Sequence, residues 1–502
     1  MGIGRLGARK TAPPPSNARA SALTERSSSL TERSATALAA AIRAREVSAR
    51  EVVEAHIEVL EHVNPAVNAI VADCFDAARD RADLADEVIA AAAPGDELPP
   101  LLGVPFTIKE SIAVAGMPHT AGVVARRNYR AGRTAPVVRR MVDAGAIPLG
   151  LTNTSELCMW IETENKLYGR TSNPYDAGRT AGGSSGGEGA AVGAGGAPFG
   201  LGTDSGGSIR MPAFCCGVFG HKPSTGLIPL TGTFPVPRGE TTRLVVNGPL
   251  ARRAEDLMPL LRLLSGPDGD DPLCGEPDAV TRLGEPADVR LDGLRVLISE
   301  HAWLRPISRE LLAARERAAA VLESLGARVE HLPLRAARKM IEPYLAILSE
   351  GGSLHDILRA EGSDVGWRAT LTRGGEHTRA TKMLLIGEPL TNRSPRFRNG
   401  MAAGLDFARQ FVDTVGDGIV LHPPAPTVAP RHGGTIGRPY WPQPMGLFNL
   451  AGMPVTQVPL GLNDRGLPLG VQVAAGPGRD HVSIRVALEL ERVFGGWTPP
   501  GS

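Results

Sequence analysis

Cysteine is scarce in this chain, and its five copies among 502 residues form no C-x-x-C pair. An odd number of scattered cysteines argues against a disulfide framework and against a zinc site built on paired thiolates. The adjacent Cys215 and Cys216 are better interpreted as small hydrophobic side chains than as metal ligands. We therefore expect no metal site and a reducing compartment, the cytoplasm.

Charge of one sign is also missing, because 54 Lys and Arg residues are balanced by 53 Asp and Glu residues. A chain that binds nucleic acid needs clustered Lys and Arg, so nucleic acid is not expected as a main partner. The sequence has no run of 18 apolar residues, and this argues against an integral membrane segment. Residues 1–33 lack the apolar core of a secretory signal and are predicted to form a disordered tail.

Alternating apolar patterns predict strands at residues 101–108, 146–152 and 293–298, and helices at residues 135–144, 248–264 and 310–325. Strands that alternate with helices in this way favour a β-sheet with helices on both faces. The pattern in residues 335–416 is helical but irregular, with polar loops.

Glycine, in contrast, is abundant and concentrated in residues 180–225. Two glycine clusters, at 182–187 and 202–207, bracket an alanine-rich segment, and each cluster contains serines. Glycine at this density indicates backbone that adopts unusual dihedral angles or approaches another group closely. Serine hydroxyls beside bare backbone N–H groups suit acyl transfer, which needs a nucleophile and donors for the oxyanion that it creates.

A base for such a serine is predicted at Lys109, because the only histidine close to the serines in sequence is His221. Lys109 follows the strand-like run 101–108, and its side chain is therefore expected to be partly buried. Burial disfavours the charged form of a lysine and lowers its pKa, which allows the amine to act as a base.

These residues carry a family resemblance. Lys109, the GGSSGG run with Ser184, and GTDSGGSIR with Ser208 resemble the amidase signature family of Ser–Ser–Lys hydrolases. The segments LGVPFTIKES, GAIPLGLTNTSELCMW, NKLYGRTSNPYD and SIRMPAFCCGVFGHKPS are most similar to type 2 fatty-acid amide hydrolases. The resemblance covers residues 35–499. It implies an α/β fold with a central mixed, twisted β-sheet flanked by helices on both faces.

Because the sequence shows neither internal repeats nor a clear break in composition, residues 34–502 are expected to form a single amidase domain, with residues 335–416 as a candidate lid or specificity region. The implied activity is hydrolysis of acyl, aryl or fatty acid amides to a carboxylate plus ammonia or an amine. No cofactor is expected, the partner is a small-molecule amide, and a homodimer is compatible with the family. Animal type 2 enzymes carry an N-terminal membrane segment, whereas this sequence shows none.

Each candidate site residue receives a role from the motif that it matches. Ser208 is the expected nucleophile, Ser184 relays its proton to Lys109, and the resemblance implies a cis peptide bond before Ser184. The loop before the nucleophile leads into a predicted helix N-terminus, so its backbone N–H groups are the expected oxyanion hole: Ser205, Gly206, Gly207 and Ser208. Supporting roles fall to Thr203, Asp204 and Arg210, and the substrate pocket to Met159 and Trp160.

Other interpretations explain less of the sequence. Residues 182–186 fit G-x-S-x-G, the α/β-hydrolase elbow, but that motif needs an apolar strand just before it and a supporting His downstream. A phosphate-binding loop would need Gly-Lys-Ser/Thr after the glycines. The amidase subunit of a tRNA-dependent amidotransferase is the main alternative, and the SELCMW and MPAFCCGVFGHKP segments argue against it. A catalytically inactive binding protein would be expected to lose Lys109, Ser184 or Ser208.

Overall fold

The computed structural model describes residues 30–274, 283–300, 302, 305–372, 374–392, 395–438 and 443–501. Most of the predicted tail, residues 1–29, lies outside this range. The α-helices are α1 Ala35–Arg43, α2 Ala49–Val67, α3 Phe75–Ala91, α4 Pro136–Asp143, α5 Gly186–Gly193, α6 Arg210–Cys215, α7 Leu257–Leu264, α8 Arg309–Ser324, α9 Ile341–Glu350, α10 Leu354–Ala360, α11 Trp367–Leu371, α12 Arg379–Asn392, α13 Pro395–Val415, α14 Gln443–Leu450 and α15 Asp480–Phe494.

The strands are β1 Ile70–Asp73, β2 Pro105–Lys109, β3 Ile147–Thr152, β4 Glu164–Asn165, β5 Gly169–Arg170, β6 Ser172–Asn173, β7 Asp176–Thr180, β8 Phe199–Asp204, β9 Phe219–Lys222, β10 Val246–Ala251, β11 Arg295–Glu300, β12 Arg328–Pro333, β13 Ile419–His422, β14 Val455–Leu462 and β15 Pro468–Ala475. Eleven of them form one sheet in the order β1-β3-β2-β8-β10-β9-β14-β15-β13-β11-β12. The sheet is mixed, since β2 runs parallel to β3 and β8 whereas β10 runs antiparallel to β8. The predicted α/β fold is confirmed.

Local sequence signals explain where some elements begin. Ser48 caps α2 by accepting a hydrogen bond from the N–H of Glu51, and the Glu51 carboxylate accepts one in return from the N–H of Ser48 at 2.9 Å. This capping box satisfies two backbone donors that the first turn leaves unpaired. Among the described residues, no helix combines the length and the apolar character that crossing a bilayer requires.

The prediction of one helix over residues 248–264 is wrong in its first half. Residues 246–251 form β10, which pairs with β8 along its whole length, and α7 begins only at Leu257. A short apolar run fits a buried strand and a buried helix equally well, and here the neighbouring strands decide the outcome. The fold thus places the ends of β2 and β8, which are parallel neighbours, at the same edge of the sheet.

Candidate active site

Lys109 is the last residue of β2, and its side chain is fully buried. Its Nζ donates hydrogen bonds to Ser184 Oγ at 2.6 Å and to Thr203 Oγ1 at 2.7 Å. Burial lowers the pKa of Lys109, and neighbouring acidic side chains, Cys158 first among them, offset part of this decrease. A lysine in this setting can present a neutral amine that accepts a proton.

Ser184 lies in the turn between β7 and α5, and the peptide bond from Gly183 to Ser184 is cis. A Cβ on Gly183 would lie 2.8 Å from main-chain atoms of residues 160–162, so this turn has room only for glycine. The carbonyl of Ser184 accepts hydrogen bonds from the hydroxyls of Thr154 at 3.0 Å and Thr163 at 3.2 Å. These contacts fix the backbone of Ser184 while its hydroxyl meets the buried lysine.

Ser208 lies in the loop between β8 and α6, with 7% of its surface exposed. Its carbonyl accepts a hydrogen bond from the N–H of Ser185 at 3.2 Å. This bond joins the Ser208 loop to the turn that holds Ser184. The structure therefore brings both predicted serines and the predicted base to the same edge of the sheet.

The four predicted oxyanion donors do not all remain available. The N–H of Gly207 donates to Asp204 Oδ1 at 2.8 Å, so it is turned toward that carboxylate. The N–H groups of Ser205, Gly206 and Ser208 donate no hydrogen bond within the part of the chain that the structure describes. These three groups are the remaining candidates, and the assignment of Gly207 is corrected because its N–H already donates a hydrogen bond to a buried carboxylate.

Asp204 and Arg210 form a fully buried ion pair, in which Nε and Nη2 of Arg210 each donate to the carboxylate at 3.0 Å. The carboxylate also accepts from the N–H of Ile209 at 3.0 Å, and Arg210 Nη2 donates to Asn449 Oδ1 at 2.6 Å. Burial alone would raise the pKa of Asp204, but the guanidinium charge and these hydrogen bonds lower it below its usual range. The ionised pair thus holds the loop that carries Ser208 from both ends.

Thr203 is bonded to Lys109 and Ser185 instead of to the Asp204–Arg210 pair. Its hydroxyl accepts the hydrogen bond from Lys109, and its carbonyl accepts one from Ser185 Oγ at 3.3 Å. Successive side chains of a strand point to opposite faces, so Thr203 and Asp204 at the end of β8 serve different partners. Thr203 is therefore a second hydroxyl partner of the predicted base.

A largely apolar cavity of about 420 Å³ opens beside these residues, within the size range of small-molecule sites. Thr203 and Ser205 line it on the side of Lys109 and Ser208, and Met159 and Phe234 belong to its walls. Residues 335–416 supply a further wall through helices α9, α10 and α12: Leu345, Leu348, Leu354, Ile357, Met383 and Leu384. The candidate specificity region thus contacts the same space as the candidate nucleophile loop.

Trp160 lies outside the cavity lining, unlike Met159 and contrary to the prediction for this residue. Its indole Nε1 donates to Thr435 Oγ1 at 2.9 Å, and its carbonyl accepts from Ser155 Oγ at 3.0 Å. These bonds turn the ring toward the 431–437 loop. Trp160 therefore supports the turn beside Gly183 without contacting the substrate space.

Sequence reasoning did not single out Glu188, a fully buried carboxyl group in α5. Its oxygens accept hydrogen bonds from Thr107 Oγ1 at 2.6 Å and Thr152 Oγ1 at 2.8 Å. The signal was present in the sequence, because α5 reads GGEGAAVG. A lone carboxylate in a helix made otherwise of glycine, alanine and valine indicates a buried acid with a specific partner.

Comparison with known proteins places this geometry in a family. The family model described as Amidase matches residues 51–483. Fatty-acid amide hydrolase 2 of Homo sapiens is 39% identical over 486 residues, which cover 92% of this chain and 89% of that protein. An acylamidase of Rhodococcus erythropolis is 34% identical, with 91% of this chain and 95% of that protein covered.

Two further similarities are more distant. A glutamyl-tRNA(Gln) amidotransferase subunit of Prochlorococcus marinus (strain MIT 9313) is 32% identical, with 89% of this chain and 94% of that protein covered. The solved structure of 6-aminohexanoate cyclic dimer hydrolase superposes with a TM-score of 0.78 at 28% identity, covering 94% of this chain and 99% of that one. The extent of the family match and of these similarities shows that the chain belongs to the amidase signature family.

Proposed function

We propose that this chain is an amidase that hydrolyses acyl amides to a carboxylate plus ammonia or an amine, through an acyl-enzyme formed on Ser208. The observation that carries the proposal is the 2.6 Å hydrogen bond between Lys109 Nζ and Ser184 Oγ, made by a fully buried lysine. Family membership supports amide hydrolysis as the reaction.

The proposed mechanism moves one proton along two hydroxyls. Neutral Lys109 accepts the proton of Ser184, and Ser184 accepts the proton of Ser208, whose Oγ bonds to the amide carbonyl carbon. The carbonyl oxygen becomes an oxyanion, which the N–H groups of Ser205, Gly206 and Ser208 are available to stabilise.

Collapse of this intermediate breaks the C–N bond, and the proton returns through Ser184 to the departing nitrogen, which leaves as a neutral amine or ammonia. Water then attacks the ester on Ser208 and gives its proton to the same relay. The ester bond breaks, Ser208 regains that proton from the relay, and the product leaves as a carboxylic acid that loses its remaining proton to solvent. Lys109 and Ser184 thus return to their starting protonation states.

The apolar cavity supports an apolar acyl group as the part of the substrate that is held. This agrees with the relatives whose names state fatty-acid amide hydrolase and acylamidase. The amidotransferase alternative is supported by a relative of 32% identity, against 39% for the fatty-acid amide hydrolase. All five cysteines are free, which supports the proposed reducing, cytoplasmic location. The homodimer stays a prediction.

A fluorophosphonate probe, which reacts with activated serines, tests the assignment. We expect the adduct on Ser208 by peptide mass spectrometry, and we expect Ser208→Ala and Lys109→Ala each to lose at least about 10³-fold in amide hydrolysis. Ser185→Ala is the matched control, because the Ser185 hydroxyl, next to Ser184 in sequence, donates to the backbone carbonyl of Thr203. An adduct on Ser184, or hydrolysis by Ser208→Ala near the wild-type rate, would refute the nucleophile.

A further inference from the structure

Glu188 is a carboxyl group that the proposed mechanism does not use, although it lies against the strand that ends in Lys109. It is fully buried in the first turn of α5, which begins two residues after Ser184. Its Oε2 accepts a hydrogen bond from Thr107 Oγ1 at 2.6 Å, and its Oε1 accepts one from Thr152 Oγ1 at 2.8 Å. Glu188 is thus joined to two strands beneath the site.

Both threonines are immediate neighbours of Lys109 in the sheet. Thr107 lies two residues before it on β2 and so shares its face, and Thr152 is its register partner on β3. A Cβ on Gly200 of β8 would lie 1.8 Å from Glu188 Oε2, so this glycine leaves the space that the carboxyl group occupies. The strands therefore hold the Glu188 carboxyl group and the Lys109 amine on one face of the sheet, where both are fully buried.

We propose that Glu188 is a positioning residue that determines the pH at which Lys109 becomes a base, because the two buried groups compete for one proton. The inference rests on the proposed function, in which Lys109 is the base. It assigns to Glu188 no contact with the substrate.

The electrostatics of the two groups agree with this arrangement. Burial raises the pKa of Glu188 to about 8, with the two threonine hydroxyls and Lys109 acting in the opposite sense. Burial also lowers the pKa of Lys109, so the two pKa values approach each other and the pair titrates as a unit. An ionised Glu188 favours the ammonium form of the lysine, whereas a protonated Glu188 leaves the neutral amine.

Two other acidic side chains also face Lys109. Asp204 at the end of β8 also faces Lys109, but Arg210 of α6 binds its carboxylate with two hydrogen bonds of 3.0 Å. The Cys158 thiol faces Lys109 from the cavity side. Glu188 is the third acid that affects the lysine, and it does so from the face of the sheet that both side chains share.

The test is the pH profile of kcat/KM for Glu188→Gln with an amide substrate. Gln keeps the shape and can bridge both threonines, but it cannot become negative, so the ammonium form of Lys109 loses its partner and its pKa falls. We expect the acid limb to move to lower pH by about one unit or more. At pH values below the acid-limb midpoints of both enzymes, kcat/KM of the variant is then about tenfold higher than that of the wild type, and the change lies in kcat rather than in KM.

Two further variants keep the test decisive. Thr152→Val removes one hydrogen-bond donor to the Glu188 carboxylate, which disfavours ionisation of Glu188. We therefore expect the acid limb of the pH profile to move in the same direction by a smaller amount. This variant carries the test if Glu188→Gln does not fold. Cys158→Ala measures the contribution of the thiol. A larger shift in Cys158→Ala than in Glu188→Gln overturns the proposal, and so does a loss in Glu188→Gln that is equal at every pH.

A measurement without turnover separates this inference from the proposed function. The carboxylic acid C=O band of Glu188, identified by infrared difference against Glu188→Gln, is titrated in the wild type and in Lys109→Met. We expect the protonated band to persist to higher pH in Lys109→Met, because the cation that favours the carboxylate is gone. An unmoved band overturns the coupling even where Ser208→Ala has shown the nucleophile to be correct, and a moved band supports it even where the nucleophile is wrong.

Discussion

Replacing Asp204 with Asn keeps the size of the side chain but turns one carboxylate oxygen into an N–H donor. One oxygen accepts from Gly207 N, Arg210 Nη2 and Asn449 Nδ2, and the other accepts from Ile209 N and Arg210 Nε. Whichever way the amide is turned, its NH₂ group faces at least two other donors. The substitution also leaves the Arg210 charge buried without its counter-charge.

The magnitude follows from these contacts. Removing one partner of a buried ion pair costs about 3–5 kcal/mol, because the remaining charge is uncompensated. We expect Asp204→Asn to lower the free energy of unfolding by this amount in urea titrations at pH 7. Since the same carboxylate fixes the loop that carries Ser208, fluorophosphonate labelling should also slow by about 10²-fold or more.

A matched control is Asp86→Asn. The Asp86 carboxylate accepts hydrogen bonds from the backbone N–H groups of Ala49 at 2.7 Å and Arg50 at 3.0 Å, which belong to helix α2 and not to the loop that carries Ser208. We expect it to lose about 1 kcal/mol, as for a helix-cap hydrogen bond, with labelling at the wild-type rate. The role given to the buried pair would be refuted if Asp204→Asn had the same free energy of unfolding as Asp86→Asn and were labelled at the wild-type rate.

Three other changes test separate contacts. His377 Nδ1 lies 2.6 Å from Glu156 Oε1, and this carboxylate, acting against burial, raises the pKa of His377. The stabilisation from this contact is therefore complete below about pH 6.5 and is lost as the pH rises through the higher pKa of the folded state. The urea concentration at the unfolding midpoint should fall between about pH 6 and 9 in the wild type and change less in His377→Gln. Gly200→Ala should cost about 1–3 kcal/mol in the same assay, because its Cβ displaces the Glu188 carboxyl group. Leu348→Trp narrows the cavity and should raise KM for long acyl amides while short ones retain theirs; an equal rise for both would contradict the cavity as the acyl site.

The sequence indicated the fold class well where apolar runs alternate with polar turns. The strand predicted at residues 101–108 overlaps β2, which runs from Pro105 to Lys109, and the strand predicted at 293–298 overlaps β11. The failure at residues 248–264 has a physical cause, since β10 is a strand only because β8 and β9 pair with it on either side. Such partners are distant in sequence, so a local pattern does not reveal them.

In the site, the motif indicated which residues the fold brings together, whereas the orientation of their polar groups depends on the fold. The motif indicated Lys109 and Ser184, and the structure places their polar atoms 2.6 Å apart. The direction of the Gly207 N–H depends on where the Asp204 carboxylate turns, and the partner of Thr203 depends on strand alternation. Neither can be read from a glycine-rich sequence.

The site contains two buried acid–base pairs that are connected in different ways. Asp204 and Arg210 are bonded to each other directly, and the guanidinium charge, acting against burial, holds the pKa of Asp204 below its usual range, so this carboxylate stays ionised in mild acid. Lys109 and Glu188 are each bonded to hydroxyls, so a proton can be held by either group without breaking an ion-pair contact. The loop that carries the proposed nucleophile is therefore expected to keep its geometry at the pH where the proposed base becomes protonated. Loss of activity in mild acid should then be reversible and should precede any loss of structure.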